Sequence, residues 1–342
     1  LLVGGLEPAR SMAIDLLEHG KDLVTANKAL LAEHGPELFE LARRNGRSIA
    51  FEAAVAGGIP IVAAIGECLA ANRIESIRGI LNGTSNFILS KMEEEGADYA
   101  AVLRAAQDAG YAEADPAMDV DGTDAAHKLA LLAHLAFGVW VPWAEISRTG
   151  IEQVDQGLMA YAAELGYRIR LVATAVRVDG RLAMRVSPAL VKVGAPLAET
   201  RGAYNAVSII GDAVGRLFFH GLGAGQMPTA SAVVADIIDT VVGRAAITFQ
   251  TTGILDAESP AARIAGVEMP QRHFLRIPVP DRPGVMAEIS GILGRHGVSI
   301  ASLIQHETGR SGPVPLVIMT HRGPPRGVNA ALTEIARSAA VQ

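Results

Sequence analysis

The run "YAEADPAMDVDGTDAAHK", residues 111–128, sets Glu113, Asp115, Asp119, Asp121 and Asp124 just ahead of Lys128 in an otherwise alanine-rich, apolar chain. Asp124 and Lys128 stand at i and i+4, one turn apart on the same face of a helix. A lysine beside carboxylates can give or take a proton, because burial and neighbouring charges move a lysine's pKa in either direction. The same residues, taken alone, also suit a solvated, helix-capping loop with a surface ion pair contributing roughly 0.3–0.5 kcal/mol. Spacing excludes a calcium loop. An EF-hand needs glycine at position six and glutamate at position twelve, whereas counting from Asp119 the glycine falls fourth, at Gly122, and the twelfth residue is Ala130.

The elements that must position this run change character along the chain. Over residues 1–56 short apolar runs alternate with amphipathic helices. "EPARSMAIDLLEHG" places Ala9, Met12, Ala13, Leu16 and Leu17 at helical spacing and stops at Gly20. "KDLVTAN" follows as a buried strand, "KALLAEHGPELFELARRNG" as a helix interrupted near Gly35-Pro36, and "SIAFEAAVA" as a second strand. Such alternation predicts a parallel sheet covered by helices. From Gly57 the pattern becomes α+β with antiparallel strands. A helix is expected over "IPIVAAIGECLAANR", a strand over "IESIRGILNG", and helices from "TSNFILSKMEEEG" and over 98–109 and 123–137. A hairpin turns at Asp179-Gly180, and "NAVSIIGDAVGRLFFHG" adds two extended runs. Residues 226–248 read as one long helix, and 249–271 as a linker by its glycine, proline and polar content. Residues 272–342 then read strand, helix, strand, strand, helix, a small ferredoxin-like module.

At 342 residues the chain has room for two or three domains, and half of its residues are hydrophobic, so a large core can be buried. The net charge of −6 offers no basic footprint for nucleic acid. A single cysteine, Cys68, rules out an intramolecular disulfide and fits a reducing cytoplasm. Inside its apolar helical pattern it reads as a small buried hydrophobe. The apolar run "LALLAHLAFGVWVPW", 129–143, is broken by His134 and Pro142. It is shorter than the roughly 20 residues a spanning helix needs, so no membrane span is expected. No signal peptide is expected from this opening, and "LLVGG" reads as the middle of a domain.

Extended back to Ala106, the acidic run becomes A-x-x-x-G-Y-A-E-A-D-P-x-x-D-V-D-G-x-D-x-x-x-K, with fixed points at Gly110, Glu113, Asp115, Pro116, Asp119, Gly122 and Asp124. This resembles the signature of homoserine dehydrogenases. The resemblance implies an oxidoreductase that interconverts L-homoserine and L-aspartate 4-semialdehyde with NAD or NADP, in threonine, methionine and isoleucine biosynthesis. It implies that Lys128 is the proton donor and acceptor, that Glu113 and Asp124 hold the amino and hydroxyl ends of homoserine, and that Asp119 orients the lysine or the substrate. "TANK", 25–28, looks like the family's cofactor-edge segment, with Lys28 reaching the active site. Gly110 falls to the cofactor side, as does Gly225 in "GLGAGQMPTASAVVAD", 221–236, close to the nicotinamide. "FEAAVAGGIPI", 51–61, looks like the loop whose backbone carbonyls at Glu52, Val55, Gly57 and Ile59 hold a monovalent cation, a sodium ion. Read from its residues alone, that loop is a glycine hinge between domains. "NGTSNFIL", 82–89, is typical of the family too, and by residue type its Thr84 and Asn86 can cap a helix.

The resemblance covers residues 1 to about 250 and gives an α/β fold class with a domain plan. A partial Rossmann-like nucleotide-binding domain takes 1–56, with the helix at 226–248 returning to it. An α+β catalytic and dimerisation domain with a mixed sheet takes 57–225. One family feature is missing: no G-x-G-x-x-G follows a strand, and "GLGAG" at 221–225 has a different context. The nucleotide domain is therefore expected to lack its first strands and pyrophosphate turn. "VPDRPGVMAEISGILGRHGVSIASLIQ", 279–305, resembles an ACT domain, a module that binds amino acids and regulates biosynthetic enzymes. Asp281, Pro283 and Gly284 would form its ligand-facing turn before a helix, whose N-terminus accepts carboxylates readily. Threonine is the effector the family implies, and a homodimer or homotetramer the assembly. The alternatives are an ACT module that only dimerises and, for the whole chain, a non-catalytic, amino-acid-binding remnant of such an enzyme.

Overall fold

The computed structural model describes residues 1–249, 268–307 and 312–338. The chain divides into two compact units, Leu1–Ile264 and Ala265–Gln342. The linker expected at 249–271 lies almost wholly outside the described residues.

In the first unit α1 (Glu7–Glu18), β1 (Leu23–Val24), α2 (Lys28–Arg44) and β2 (Ile49–Ala50) follow the expected alternation, and β1 pairs with β2 in parallel, Leu23 against Ile49. α2 runs unbroken through Gly35-Pro36, contrary to the expected interruption. The proline removes one helical hydrogen bond, but the buried face Leu30, Leu31, Leu38, Phe39 and Ala42 holds the turns on either side of it. β2 is shorter than its apolar run, because the chain enters a 3-10 turn at Glu52–Ala54. The helix expected after Gly57 is α3 (Ile61–Ala63) continued by a π-helical stretch, Ala64–Cys68. The wider π turn, closed by Leu69 N–H to Ala64 O at 2.9 Å, changes the rotational phase of the side chains. Cys68 is exposed there, not buried as expected.

A six-stranded mixed sheet forms the centre of this unit, in the order β4-β6-β5-β3-β7-β8. Its strands are β3 (Ile74–Ile80), β4 (Ser147–Arg148), β5 (Tyr167–Val178), β6 (Arg181–Lys192), β7 (Tyr204–Gly211) and β8 (Gly215–Leu222). Only β4 and β6 run parallel. The β5–β6 hairpin turns where expected, with φ +49° at Asp179 and +76° at Gly180, the paired positive φ of a tight hairpin turn.

The helices of this region are α4 (Gly83–Glu95), α5 (Tyr99–Asp108), α6 (Ala117–Val120), α7 (Thr123–Phe137), α8 (Gln156–Glu164), α9 (Pro196–Glu199) and α10 (Gln226–Val241). α7 packs on β3, β5 and β6 as well as on α2. All 15 of its residues are buried, which is why its sequence is apolar on every side. α10 packs on β1 and β2 and ends earlier than expected, since Gly243 at φ +84° interrupts it before helix resumes over 244–249. One apolar core extends from Ala9 to Phe249.

The second unit has the expected strand–helix–strand–strand–helix order: β9 (Phe274–Val279), α11 (Val285–Arg295), β10 (Ile300–Ile304), β11 (Val314–Thr320) and α12 (Pro325–Ile335). Its antiparallel sheet is ordered β10-β11-β9, and Leu275, Ile277, Ile289, Leu293, Leu316 and Val328 belong to its own core. Among the described residues no helix is long and apolar enough to cross a membrane.

Candidate active site

The N-terminal end of α7 sets the geometry. Gly122, at φ +88°, occupies the position before the helix, where an added Cβ would also press on Val186 at 3.1 Å. Asp121 Oδ1 accepts the Thr123 N–H at 2.7 Å and fixes the first turn. Asp124 and Lys128 then project one turn apart from a buried helix. Lys128 Nζ donates to Asp124 Oδ2 at 2.7 Å and to the Leu81 carbonyl, just past the end of β3, also at 2.7 Å.

A second lysine reaches the same carboxylate. Asn27 caps α2 by accepting the Leu30 N–H at 2.9 Å, which places Lys28 at the first helical position. Lys28 Nζ lies 3.1 Å from Asp124 Oδ1. Asp124 therefore carries one lysine on each oxygen. Burial alone would push its carboxyl up, but the charges of Lys128 and Lys28 hold it well below the usual carboxylate range. The Asp124 charge in turn raises Lys28. A buried charge is tolerated only when it is paired and hydrogen-bonded, and this one has both.

The remaining acids of the run separate by role. Asp119 accepts from Asn82 Nδ2 at 2.7 Å, and burial raises its pKa. Asp115 and Asp121 cap local turns, through the N–H groups of Ala117 and Thr123. Glu113 is exposed in the loop before α6, and its charge is felt at Lys28. Gly110, at φ +75°, ends α5 on the surface, and Thr84 ties the following loop to α4 by donating to the Tyr111 carbonyl at 2.8 Å. Thr84 is thus not the cap of α4. Asn82 is, accepting the Ser85 N–H at 2.7 Å. Asn86 instead donates to the Thr200, Gly202 and Tyr204 carbonyls.

Sequence reasoning did not single out Leu81, Asn82, Asn205 or Gly223. Asn205 Nδ2 donates at 3.0 Å to the Leu81 carbonyl that also receives Lys128. Its amide lies so close under Gly223 that a Cβ there would stand 2.0 Å from it. Gly225, two residues on, opens α10 at φ +119° without a side-chain cap. The glycine loop runs alongside: Gly58 N–H donates to the Leu222 carbonyl at 2.9 Å, and a Cβ on Gly57 would stand 3.2 Å from the Gly223 carbonyl. In this loop the Glu52 carboxylate is used locally, accepting the Val62 and Ala63 N–H groups at 2.8 Å each. The Glu52 and Ile59 carbonyls accept from the N–H groups of Val55 and Ile61.

In the second unit, Gly284 at φ +92° opens α11 without a side-chain cap, next to the exposed Asp281. A hollow of that unit lies at its other end, lined by His273, His296, Ser299, His321 and Arg322.

A buried lysine anchored to one carboxylate, beside a parallel α/β layer of nucleotide-binding type, is the equipment of a nicotinamide-dependent alcohol dehydrogenase in which a side chain moves the proton at the alcohol oxygen. The comparisons with known proteins agree. The homoserine dehydrogenase family model matches residues 60–238, the homoserine dehydrogenase NAD binding domain residues 2–52, and the ACT domain residues 273–339. Homoserine dehydrogenase of Pseudomonas aeruginosa is 43% identical over 98% of this chain and 78% of its own length. That of Synechocystis is 43% identical over 100% of this chain and 80% of its own length. The crystal structure of a homoserine dehydrogenase from Thiobacillus denitrificans superposes with a TM-score of 0.88 at 42% identity, covering 100% of this chain and 79% of that one. A hyperthermophilic archaeal homoserine dehydrogenase mutant in complex with NADPH superposes at 0.61 with 32% identity, over 69% of this chain and 68% of that one. The chain belongs to the homoserine dehydrogenase family. It is an oxidoreductase of amino-acid biosynthesis with an NAD-binding domain and an ACT domain.

Proposed function

We propose that Lys128 is the group that moves the proton when L-homoserine and L-aspartate 4-semialdehyde interconvert. The observation that carries this reading is the double anchoring of its ammonium on Asp124 and Leu81. An ammonium has three hydrogens. Two are committed, which leaves one for a substrate oxygen. In the reducing direction Lys128 gives that proton to the aldehyde oxygen as the carbon gains hydride. In the oxidising direction the neutral amine takes the hydroxyl proton.

Asp124 holds the hydroxyl end of the substrate and both lysines. Asp119 orients Lys128 or the substrate. Glu113, exposed at the rim, receives the substrate's ammonium. The residues present fit the nicotinamide end of a cofactor: two backbone segments meet at Gly57, Gly58 and Gly223, where a Cβ on Gly57 would stand 3.2 Å from the Gly223 carbonyl and one on Gly58 2.6 Å from the Leu222 carbonyl, and α10 opens uncapped at Gly225. Lys28 and Gly225, with Gly110 farther out, would hold it. When bound, NAD or NADP supplies the hydride acceptor or donor.

On this reading 1–56 together with 226–248 is the nucleotide-binding domain, 57–225 the catalytic and dimerisation domain, 249–271 the linker and 272–342 the regulatory domain. Threonine is the effector, bound at the Asp281–Gly284 turn. A homodimer or homotetramer is favoured by the exposed Phe218 and Leu222 on the edge strand β8, and the cytoplasm by the single cysteine.

The test, in a protein that carries the pyrophosphate turn this chain is expected to lack, is L-homoserine-dependent reduction of NADP+ or NAD+, followed by the absorbance of the reduced nicotinamide, with Glu113 in place and with Glu113→Ala. The variant should raise KM several-fold, because it removes a charge that binds the ammonium. An unchanged KM would take Glu113 out of substrate binding, and a preference for a different alcohol would overturn the substrate assignment.

A further inference from the structure

Asn82 joins β3 to α4, and both amide hydrogens and the oxygen of its side chain are engaged there. Nδ2 donates to Asp119 Oδ1 at 2.7 Å and to Asp124 Oδ2 at 2.9 Å, while Oδ1 accepts the Ser85 N–H at 2.7 Å. These partners fix the orientation of the amide. Turned over, its oxygen would face two carboxylates and its amino group would face an N–H. Asn82 is 5% exposed, so water cannot take over either role.

We propose that Asn82 is a positioning residue of the reaction, a neutral two-hydrogen bridge that holds Asp119 and Asp124 side by side against the lysines. The inference rests on the reading of Asp124 and Lys128 as the reacting centre. A buried and a half-buried carboxylate side by side repel each other, and a bridge between them must donate to both without adding charge. A lysine at this position would compete with Lys128 for Asp124. An aspartate would add a third negative charge, and a serine could cap α4 but not span both acids. Only an amide does both jobs.

The consequences fall on Asp119. The charged groups around it are Asp124 and Lys128 on α7 and Lys28 on α2, with neutral contacts from Asn82 and Thr84. Burial and the Asp124 charge raise its carboxyl, and the Asn82 hydrogen bond pulls it back down. Without the bridge, Asp119 takes up a proton at higher pH and stops serving as a carboxylate toward the lysine.

The test uses Asn82→Ser and Asn82→Asp in the full chain. Both replacements keep an N-cap acceptor for Ser85, so the bridge is removed without removing the cap. Carboxyl-carbon NMR follows the Asp119 midpoint, assigned with Asp119→Asn, and calorimetry follows L-homoserine binding as a function of pH. The Asp119 midpoint should rise in Asn82→Ser and further in Asn82→Asp. The acid limb of homoserine binding should move up with it, and binding at the acid end should weaken about tenfold, the usual scale of one hydrogen bond to a charged group. A midpoint that stays in place in the folded variants overturns the proposal. So does a homoserine profile that ignores a shifted midpoint, or loss of the fold in both variants, which would make the bridge a structural tie and not a device of the reaction. If wild type itself fails to bind homoserine, the substrate assignment falls, while the Asp119 midpoint still decides whether the bridge exists.

Discussion

Asp236 Oδ2 accepts the backbone N–H of Glu52 at 2.9 Å across 184 residues of chain, so α10 holds the turn that follows β2. Burial and the Glu52 charge push the Asp236 carboxyl up to about 7, from an ordinary value of 3.8. Between those values the folded protein keeps a proton that the unfolded chain has released. Stability from this group is therefore fully present at low pH and is lost as pH rises toward 7, by at most on the order of 4 kcal/mol. Asp236→Asn keeps an acceptor for Glu52 and removes the titration. Thermal melts at about pH 5 and about pH 8 should show the wild-type midpoint falling with pH and the variant's falling less. Equal slopes would show that Asp236 titrates as an ordinary acid.

Gly223 is kept without a side chain by Asn205. The Cβ of Gly223→Ala would stand 2.0 Å from the Asn205 amide, which must move and release the Leu81 carbonyl. Chemical denaturation should show a loss of about 1–3 kcal/mol, the usual cost of overpacking. Turnover should fall as well, because Lys128 loses a fixed anchor. A variant as stable and as fast as wild type would mean that Asn205 yields freely and does not hold that carbonyl.

What the sequence made legible was the local pattern: the helical spacing of α7, the hairpin at Asp179-Gly180 and the i, i+4 pair Asp124–Lys128. Its limits lay where partners come from far along the chain. Asn82 and Asp119 are 37 residues apart, and Asn205 and Leu81 are 124 apart, so no spacing rule could join them. "NGTSNFIL" did signal a helix start, but hydroxyl and amide residues crowd that start and the cap was placed on the wrong ones. Gly35-Pro36 read as a break because proline is costly in a helix, and only the buried face of α2 shows why the helix continues. Cys68 was expected to be buried from an α-helical period, and the π stretch that shifts it leaves no mark in a hydrophobic pattern.

Control should be separable from catalysis. Deleting the chain from residue 268 onward should leave homoserine turnover in place and abolish inhibition by threonine. The coupling lost would be about 1–3 kcal/mol, the usual size for an effector acting through two states. Inhibition curves with and without the domain check this. A truncated protein that threonine still inhibits would place the effector site in the first unit, and a wild type indifferent to millimolar threonine would remove the regulatory role.

The most direct test of the proton-transfer assignment is the turnover of Lys128→Ala set against its affinity for L-homoserine. Removing a general acid/base slows the reaction by about 10²–10⁴-fold. Asp124 keeps Lys28 on its other oxygen, so the dissociation constant for homoserine, measured by calorimetry, should stay within a few-fold of wild type. A loss of turnover smaller than tenfold, with homoserine still bound, would contradict the assignment and move the proton transfer to another group.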